Sequence, residues 1–439
     1  MTKKTIYFNM ALQATVDFLA RETFPKDIVP LVIRDIQGRI RIGLEHGDKE
    51  KHKELAARLV ASITNLAAFT GDTGKAVLFP DDFFDPDSVF KNPDILDFYY
   101  PGVDTPLRLL DRQVVGQDWL RPTKKVHSII PRLVFFGLKG GVGRSTALAI
   151  LAYDLARAGK RVLLIDFDLE SPGLSGLLMP PDRLADFGVV DWFVEDAVGQ
   201  GNMVIDRMTA GSPLSEHTQG EIRVAAAMGL SEKFYLAKLS RVYAEVTRQE
   251  KIECFSQRTH RFLEELEKQE KPDIVLIDSR AGLHDLAAVS IVGLATDVLL
   301  FGADSAQTWQ GYQLLFSHWQ AYPAVLQAVR DRLIMVEALF PELDQAERAE
   351  RFLEHAYTLF SETIYERIEP GAEADPDVFN FDIHDAAAPH YPLRIKWNSR
   401  LQEFDPLLLP QGILTDADIT VTFGEFLDGV KQRLMGGAA

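Results

Sequence analysis

The sequence predicts an α/β protein in two parts, a mostly parallel, doubly wound sheet over residues 126–439 preceded by a smaller α/β domain over residues 1–125. Three observations predict it. Short apolar runs of buried-strand type alternate with helical periodicity from residue 133 onward, which is the pattern of parallel βαβ units. A strand at 133–136, a helix at 145–158 and a strand at 161–165 follow one another within about thirty-five residues, the length of one right-handed crossover. Charge is also unevenly placed: residues 1–125 carry 18 basic and 18 acidic side chains, so the whole net charge of −17 lies beyond them.

In the N-terminal part, residues 28–44 hold two apolar-rich stretches around Gln37-Gly38, and Arg39-Ile40-Arg41-Ile42 alternates with period two, which predicts a hairpin with one solvated face. Residues 51–69 place Leu55, Leu59, Ile63 and Leu66 at helical spacing, and Gly71, Asp72 and Gly74 end that helix. A short strand is expected at 76–79, then an acidic, proline-containing loop to residue 93. Periodicity lapses over 102–125, where Pro106, Pro122 and Lys124-Lys125 mark the boundary between the two parts. Beyond it, strands are expected at 222–226, 274–277, 298–301, 333–336 and 393–396, with helices centred near residues 240, 262, 290, 314 and 350. Residues 1–125 carry no motif that assigns them a role.

Composition narrows the function. With 439 residues, 46% hydrophobic and 25% charged, the chain has material for two or three folded domains and no fibrous or disordered bias. The acidic balance opposes non-specific nucleic-acid binding, so nucleic acid is not expected as a partner. The one cysteine, Cys254, cannot form an intrachain disulfide or hold a zinc or iron–sulfur cluster alone, which fits the cytoplasm. Its helical setting suggests a small buried hydrophobe. The most apolar region, 147–165, contains Asp154, Arg157, Lys160 and Arg161, and Asn9, Gln13 and Asp17 interrupt residues 1–19, so neither a membrane span nor a signal peptide is expected.

The run Gly137-Leu138-Lys139-Gly140-Gly141-Val142-Gly143-Arg144-Ser145-Thr146 lies where a strand gives way to a helix. Glycines there permit left-handed backbone that turns successive N–H groups inward, and the helix start adds its positive end, so a polyphosphate is the expected guest. Ser145 is expected to ligate Mg²⁺ through its hydroxyl, and Thr146 to reach a phosphate nearer the base. The general phosphate-loop pattern asks for lysine where this chain has Arg144; the guanidinium keeps the charge but is longer and planar, so binding should survive better than catalysis. Asp166 and Asp168 close the second strand on the same side, and Asp278 closes the strand at 274–277, all at the carboxyl edge where open α/β sheets bind ligands. Asp278 is expected to hold Mg²⁺ through water opposite Ser145.

These segments resemble the deviant Walker A ATPases of the MinD and ParA group, within the P-loop NTPases. The carriers are Lys-Gly-Gly-Val-Gly-Arg-Ser-Thr at 139–146, Leu-Ile-Asp-Phe-Asp-Leu-Glu at 164–170 and Leu-Ile-Asp-Ser-Arg-Ala-Gly-Leu at 276–283. The resemblance covers about residues 131–340 and implies ATP and Mg²⁺ as cofactors, bound by Lys139, Gly140, Gly141, Val142, Gly143, Arg144, Ser145 and Thr146. It implies that Lys139 is the signature lysine reaching across an ATP-bound homodimer, that Asp168 positions the attacking water, and that Ser279, Arg280, Ala281 and Gly282 form the switch segment reporting the γ-phosphate. Two positions depart from the pattern, Arg144 for the loop lysine and Arg280 where proline is usual. No [TN]-K-x-D segment follows Asp278, so adenine is expected rather than guanine. The function implied is an ATP-dependent dimerisation switch, a slow Mg-dependent ATPase controlling an unidentified protein partner; the resemblance does not extend to residues 1–125, which are left as the candidate surface for that partner. The alternatives are a nucleotide-sensing scaffold that Arg144 leaves with little or no hydrolysis, and a DNA-associated partition-type ATPase.

Two further features are expected to be structural. Phe423, Phe426, Leu427, Val430, Leu434 and Met435 form a helical stripe beside Lys431 and Arg433 but also Glu425 and Asp428, which suits packing on the core better than peripheral membrane contact. His384 and His390 lack metal-ligand spacing and read as loop or core residues.

Overall fold

In the computed structural model, which describes residues 6–70, 73–98, 107–121, 128–230, 233–248, 251–368, 378–402 and 404–436, the chain divides into the units Met1–Arg121 and Pro122–Ala439. The boundary expected between residues 125 and 126, and the helix stop at Gly71 and Asp72, lie outside the described residues.

The first unit is a five-stranded sheet in the order β3-β2-β1-β5-β4. Its hairpin of β1 (Val29–Arg34) and β2 (Ile40–Glu45) turns through Gly38 at φ +82°, and β3 (Val77–Leu78) runs parallel to β2. Helices Phe8–Leu19 and Lys53–Ile63 bury Ala11, Val16, Leu55, Leu59 and Ile63 with Val32 on one face. On the opposite face Leu31 and Ile33 meet Leu78, Phe90 and Leu110. Successive β1 side chains thus enter different layers, and the solvated face expected of this hairpin is covered. That face is covered by Phe90 of the short helix Asp87–Phe90, with Phe83 and Val89 packed beside it, while β4 (Ile95–Phe98) and β5 (Leu107–Asp111), two strands the periodicity does not announce, extend the sheet beyond β1. The reason lies in β5, where charged residues are strand residues: Asp111 stands opposite Arg34 in register and accepts its Nε–H at 2.7 Å, and Arg108 pairs with Glu45.

The second unit is an eight-stranded sheet in the order β15-β14-β13-β6-β12-β7-β9-β8, with every pairing parallel except that of β8 with β9. Its strands are β6 (Arg132–Gly137), β7 (Arg161–Phe167), β8 (Ala210–Gly211), β9 (Glu221–Ala225), β12 (Ile274–Ser279), β13 (Asp297–Gly302), β14 (Leu333–Phe340) and β15 (Leu393–Lys396). A separate antiparallel pair, β10 (Val246–Arg248) and β11 (Lys251–Glu253), precedes the helix Phe255–Glu270. Helices cover both sheet faces, as neighbouring aromatics of β6 show: Phe135 lies 6.4 Å from Phe426 of helix Asp416–Gly436, while Phe136 lies 6.4 Å from Tyr312 of helix Ala306–Gln320. Helix Arg144–Arg157 joins the Phe135 side through Ala147, Leu148 and Leu151.

The helix expected near residue 240 is only Tyr235–Leu239, and the one near 290 runs as Asp285–Ala288 into a π-helical turn, Val289–Leu294. Helix Val189–Ala197 was hidden by its composition, an apolar run with Val189, Val190, Trp192 and Phe193 all buried. Cys254 is not a buried helix-interior residue. It caps helix Phe255–Glu270 at half burial, with its N–H bonded to Gln257 Oε1 at 3.0 Å. Phe423, Phe426, Leu427 and Val430 are buried in the core with Leu434 packed against it, whereas Met435 is exposed. His390 is a buried core residue between the Tyr365 hydroxyl and the Ile383 carbonyl, and His384 is exposed. No helix among the described residues is long and apolar enough to cross a membrane.

Candidate functional site

The sheet brings the carboxyl ends of β13, β6, β12 and β7 side by side, and the loops leaving β6, β7 and β12 carry the residues singled out in the sequence. Strand β6 ends at Gly137 and helix Arg144–Arg157 starts after Gly143, whose φ is +76°; Gly141 has φ +80°. A β-carbon built on Gly140, Gly141 or Gly143 meets nothing within 4 Å, so the glycines line an open cradle, and at Gly141 and Gly143 it is backbone conformation rather than crowding that calls for glycine. The N–H groups of the first helical turn lack intrahelical acceptors and are free for an anion. Val142 packs against the core, Ser145 and Thr146 are half-buried on the first turn, and Lys139 and Gly140 are exposed. The Lys139 ammonium is hydrogen-bonded to the Gln307 side-chain carbonyl, from helix Ala306–Gln320.

Below the cradle lie three carboxylates and one guanidinium. Asp278 of β12 and Asp166 of β7 are register partners on neighbouring strands, and both are buried. Ser145 donates its hydroxyl to Asp278 Oδ2 at 2.7 Å, and Arg144 donates Nε–H to Asp278 Oδ1 at 2.8 Å. The same guanidinium reaches Asp168 Oδ2 through Nη2 at 3.4 Å, while its Nη1 is buried with no hydrogen-bond partner among the described residues. Asp166, expected from its spacing to share the ligand side with Asp168, is fully buried beside Asp278. The strand ends at Phe167 and the chain folds over Asp166, which accepts backbone N–H bonds from Asp168 at 3.1 Å, Gly173 at 3.1 Å and Leu174 at 3.0 Å. It is a loop organiser. Asp168, half-buried, is raised above the ordinary carboxylate range by burial, with Arg144 opposing the shift.

Burial and the Asp278 carboxylate push Asp166 up to about 8, against those N–H bonds. The folded chain therefore holds a proton that the unfolded chain releases near pH ~4. Its contribution to stability is complete below that pH and is lost as pH rises through about 8. Melting temperatures in metal-free buffer should fall across this window, and Asp166→Asn should flatten the fall. Equal slopes in parent and variant, measured by calorimetry at several pH values, would assign the trend to other groups.

Residues 279–282, expected to form the switch, are tied to both neighbouring loops. Ser279 is buried, Ala281 is half-buried, and Gly282, at φ +84°, donates its N–H to the Gly137 carbonyl at 3.1 Å. Arg280 pairs with Glu170, which also accepts the Tyr243 hydroxyl at 2.7 Å and lies 3.5 Å from His284 Nε2. Burial and the bond to Glu170 raise the Tyr243 phenol far above its ordinary range, so it stays a neutral donor. Tyr243 and His284 carry no sequence signal for this site. Glu170 does, since it stands two residues after Asp168 in the quoted motif.

The donor set fits a magnesium-bound polyphosphate. Ser145 and Asp278 are the residues that would hold the metal, and no group of three or more His, Cys, Asp or Glu side chains among the described residues forms a cage of its own. One hydroxyl and one carboxylate suit Mg²⁺, which keeps several waters and shares its shell with substrate phosphates.

Residues 133–363 match the family model CbiA, the CobQ/CobB/MinD/ParA nucleotide binding domain. A stretch of 54 residues is 44% identical to the chromosome-partitioning ATPase Soj of Thermus thermophilus, covering 12% of this chain and 22% of that protein, so the match spans about a fifth of the relative's length. Among solved structures, pNOB8 ParA bound to nonspecific DNA is similar at 16% identity with a TM-score of 0.43, over 70% of this chain and 100% of that one. The MinD cell division protein of Aquifex aeolicus is similar at 17% identity with a TM-score of 0.41, over 70% and 97% of the two chains. With the family model spanning more than half of its residues and the phosphate cradle inside the matched segment, the chain belongs to the CobQ/CobB/MinD/ParA nucleotide-binding domain family.

Proposed function

We propose that the loop at 139–146 binds Mg·ATP in the deviant Walker A manner, and that the chain is a homodimerising switch of the cytoplasm whose slow hydrolysis controls a protein partner. The observation that carries this reading is the opposite placement of the two loop cations. Arg144 is buried against Asp278 and Asp168, whereas Lys139 is exposed at the mouth of the cradle, where a second subunit's phosphates are within reach of its charge. The cradle N–H groups and Thr146 hold the phosphates, Ser145 and Asp278 hold the metal, and Asp168 orients water. Bound Mg²⁺ would neutralise phosphate charge. Residues 1–125 are the part offered to the partner.

Gly143→Val tests the nucleotide site. A β-branched residue at φ +76° is strained by roughly 1–2 kcal/mol or more, and relief of that strain moves the N–H groups at the helix start. ATP affinity should fall by at least about tenfold, which is ~1.4 kcal/mol. A folded variant that binds ATP like the parent would remove the loop from the site.

A second reading, a nucleotide-sensing scaffold without appreciable turnover, is favoured by Arg144, since its guanidinium engages both the water-positioning and the metal-site carboxylates. Nucleotide retained without phosphate release would establish it. The partition-type reading draws on the short identity to Soj and is opposed by the net charge of −17; salt-dependent binding to non-specific duplex DNA would bring it forward.

A further inference from the structure

Both oxygens of Asp278 are already satisfied from within the chain, Oδ1 by the Arg144 Nε–H at 2.8 Å and Oδ2 by the Ser145 hydroxyl at 2.7 Å. The Arg144 side chain is only 9% exposed, and that of Asp278 only 2%. A guanidinium that bridges two carboxylates in such a place supplies the charge that would otherwise have to come from a metal ion. Its third nitrogen, Nη1, is buried with no hydrogen-bond partner among the described residues, an unmet donor within the site itself. A lysine at this position would present one compact charge. An arginine presents a fork, and here the fork spans Asp278 and Asp168 together.

We propose that Arg144 is a resident counter-ion that competes with the divalent metal for Asp278, so that loading Mg·ATP is an exchange of cations in which the guanidinium leaves the carboxylates for the phosphates. The inference rests on the reading of this site as a magnesium nucleotide site. On loading, Arg144 would release Asp278, Ser145 and Asp278 would hold the metal, and the unmet Nη1 donor would gain a phosphate oxygen. Arg144 is a positioning residue toward Asp278, and its charge sets how readily a metal enters without nucleotide.

Mn²⁺ alone is the probe, titrated into the full chain without nucleotide and followed by electron paramagnetic resonance. The parent should take up Mn²⁺ weakly, because a dication must displace a bonded guanidinium. Arg144→Gln, shorter, polar and neutral, should bind it at least about tenfold more tightly, and Asp278→Asn added to that variant should abolish the gain. Mg²⁺ alone should likewise raise the melting temperature of Arg144→Gln and not that of the parent. If the glutamine variant does not fold, Arg144→Lys carries the test: one ammonium cannot span both carboxylates, so Mn²⁺ affinity should still rise several-fold. A parent that binds Mn²⁺ as tightly as the variants would overturn the exchange. Failure of the nucleotide reading is separately visible, since it would appear as a parent that does not bind Mg·ATP whatever the Mn²⁺ titrations give.

Discussion

Replacing Asp168 by alanine is expected to slow ATP turnover by ~10²–10⁴-fold, the usual loss when a group that positions or deprotonates the nucleophile is removed. Mg·ATP affinity should change little. The distinction follows from the contacts: Asp168 meets Arg144 only at the long distance of 3.4 Å, whereas Asp278 keeps its 2.8 Å bond to the same guanidinium and its 2.7 Å bond to Ser145. Loss of Asp168 therefore leaves the metal-site carboxylate and the cradle anchored. Its raised proton affinity, caused by burial and by Asp278, suits a group that must accept a proton from water. Single-turnover phosphate release, measured beside an equilibrium nucleotide titration, separates the two effects. Parental turnover in Asp168→Ala would end the catalytic assignment. A parent that itself releases no phosphate would instead select the scaffold reading, with Arg144 as the cause.

The site was legible where chemistry and periodicity coincide. The apolar runs of β6, β7, β12, β13 and β14 are buried on both faces, so they read as strands, and the glycine loop falls between the first of them and a helix. The family match over residues 133–363 contains all three quoted motifs. What sequence did not disclose depends on side-chain direction. Asp166 and Asp168 share a side in an extended segment, yet the chain leaves the strand after Phe167 and buries one carboxylate under the loop while leaving the other beside Arg144. Likewise nothing in the string of letters brings Tyr243 to Glu170, seventy-three residues away, because that contact is made by two segments folding over the same sheet edge. In the first unit the signal was diluted: β5 is five residues long and ends on charges that find partners in Glu45 and Arg34. Short strands whose polar residues are paired inside the sheet have no alternation to detect.

Lys139→Ala is expected to leave ATP binding to the monomer nearly intact and to remove ATP-dependent dimerisation. Lys139 stands six residues before Ser145, exposed, with its ammonium on the Gln307 side chain, so it is not directed with Arg144 toward Asp278 and Asp168. An exposed hydrogen bond of that kind is worth no more than about 1 kcal/mol net, so a nearby anion of high charge can take the ammonium from Gln307 at small cost. When two nucleotide faces meet, the triphosphates approach through a space from which water is being excluded, and the lower local dielectric strengthens their repulsion several-fold over its value in bulk water. One added positive charge from each subunit, placed at the mouth where the other's phosphates arrive, offsets that repulsion; Arg144, buried beneath the cradle beside Asp278 and Asp168, serves its own subunit's site alone. Sedimentation or light scattering with and without Mg·ATP, beside a nucleotide titration of the same samples, measures both quantities. Loss of the dimer with retained affinity places Lys139 in trans. Loss of affinity with it would place Lys139 on its own subunit's phosphates, and a variant that dimerises on ATP like the parent would remove the exposed lysine from the interface and the face-to-face arrangement with it.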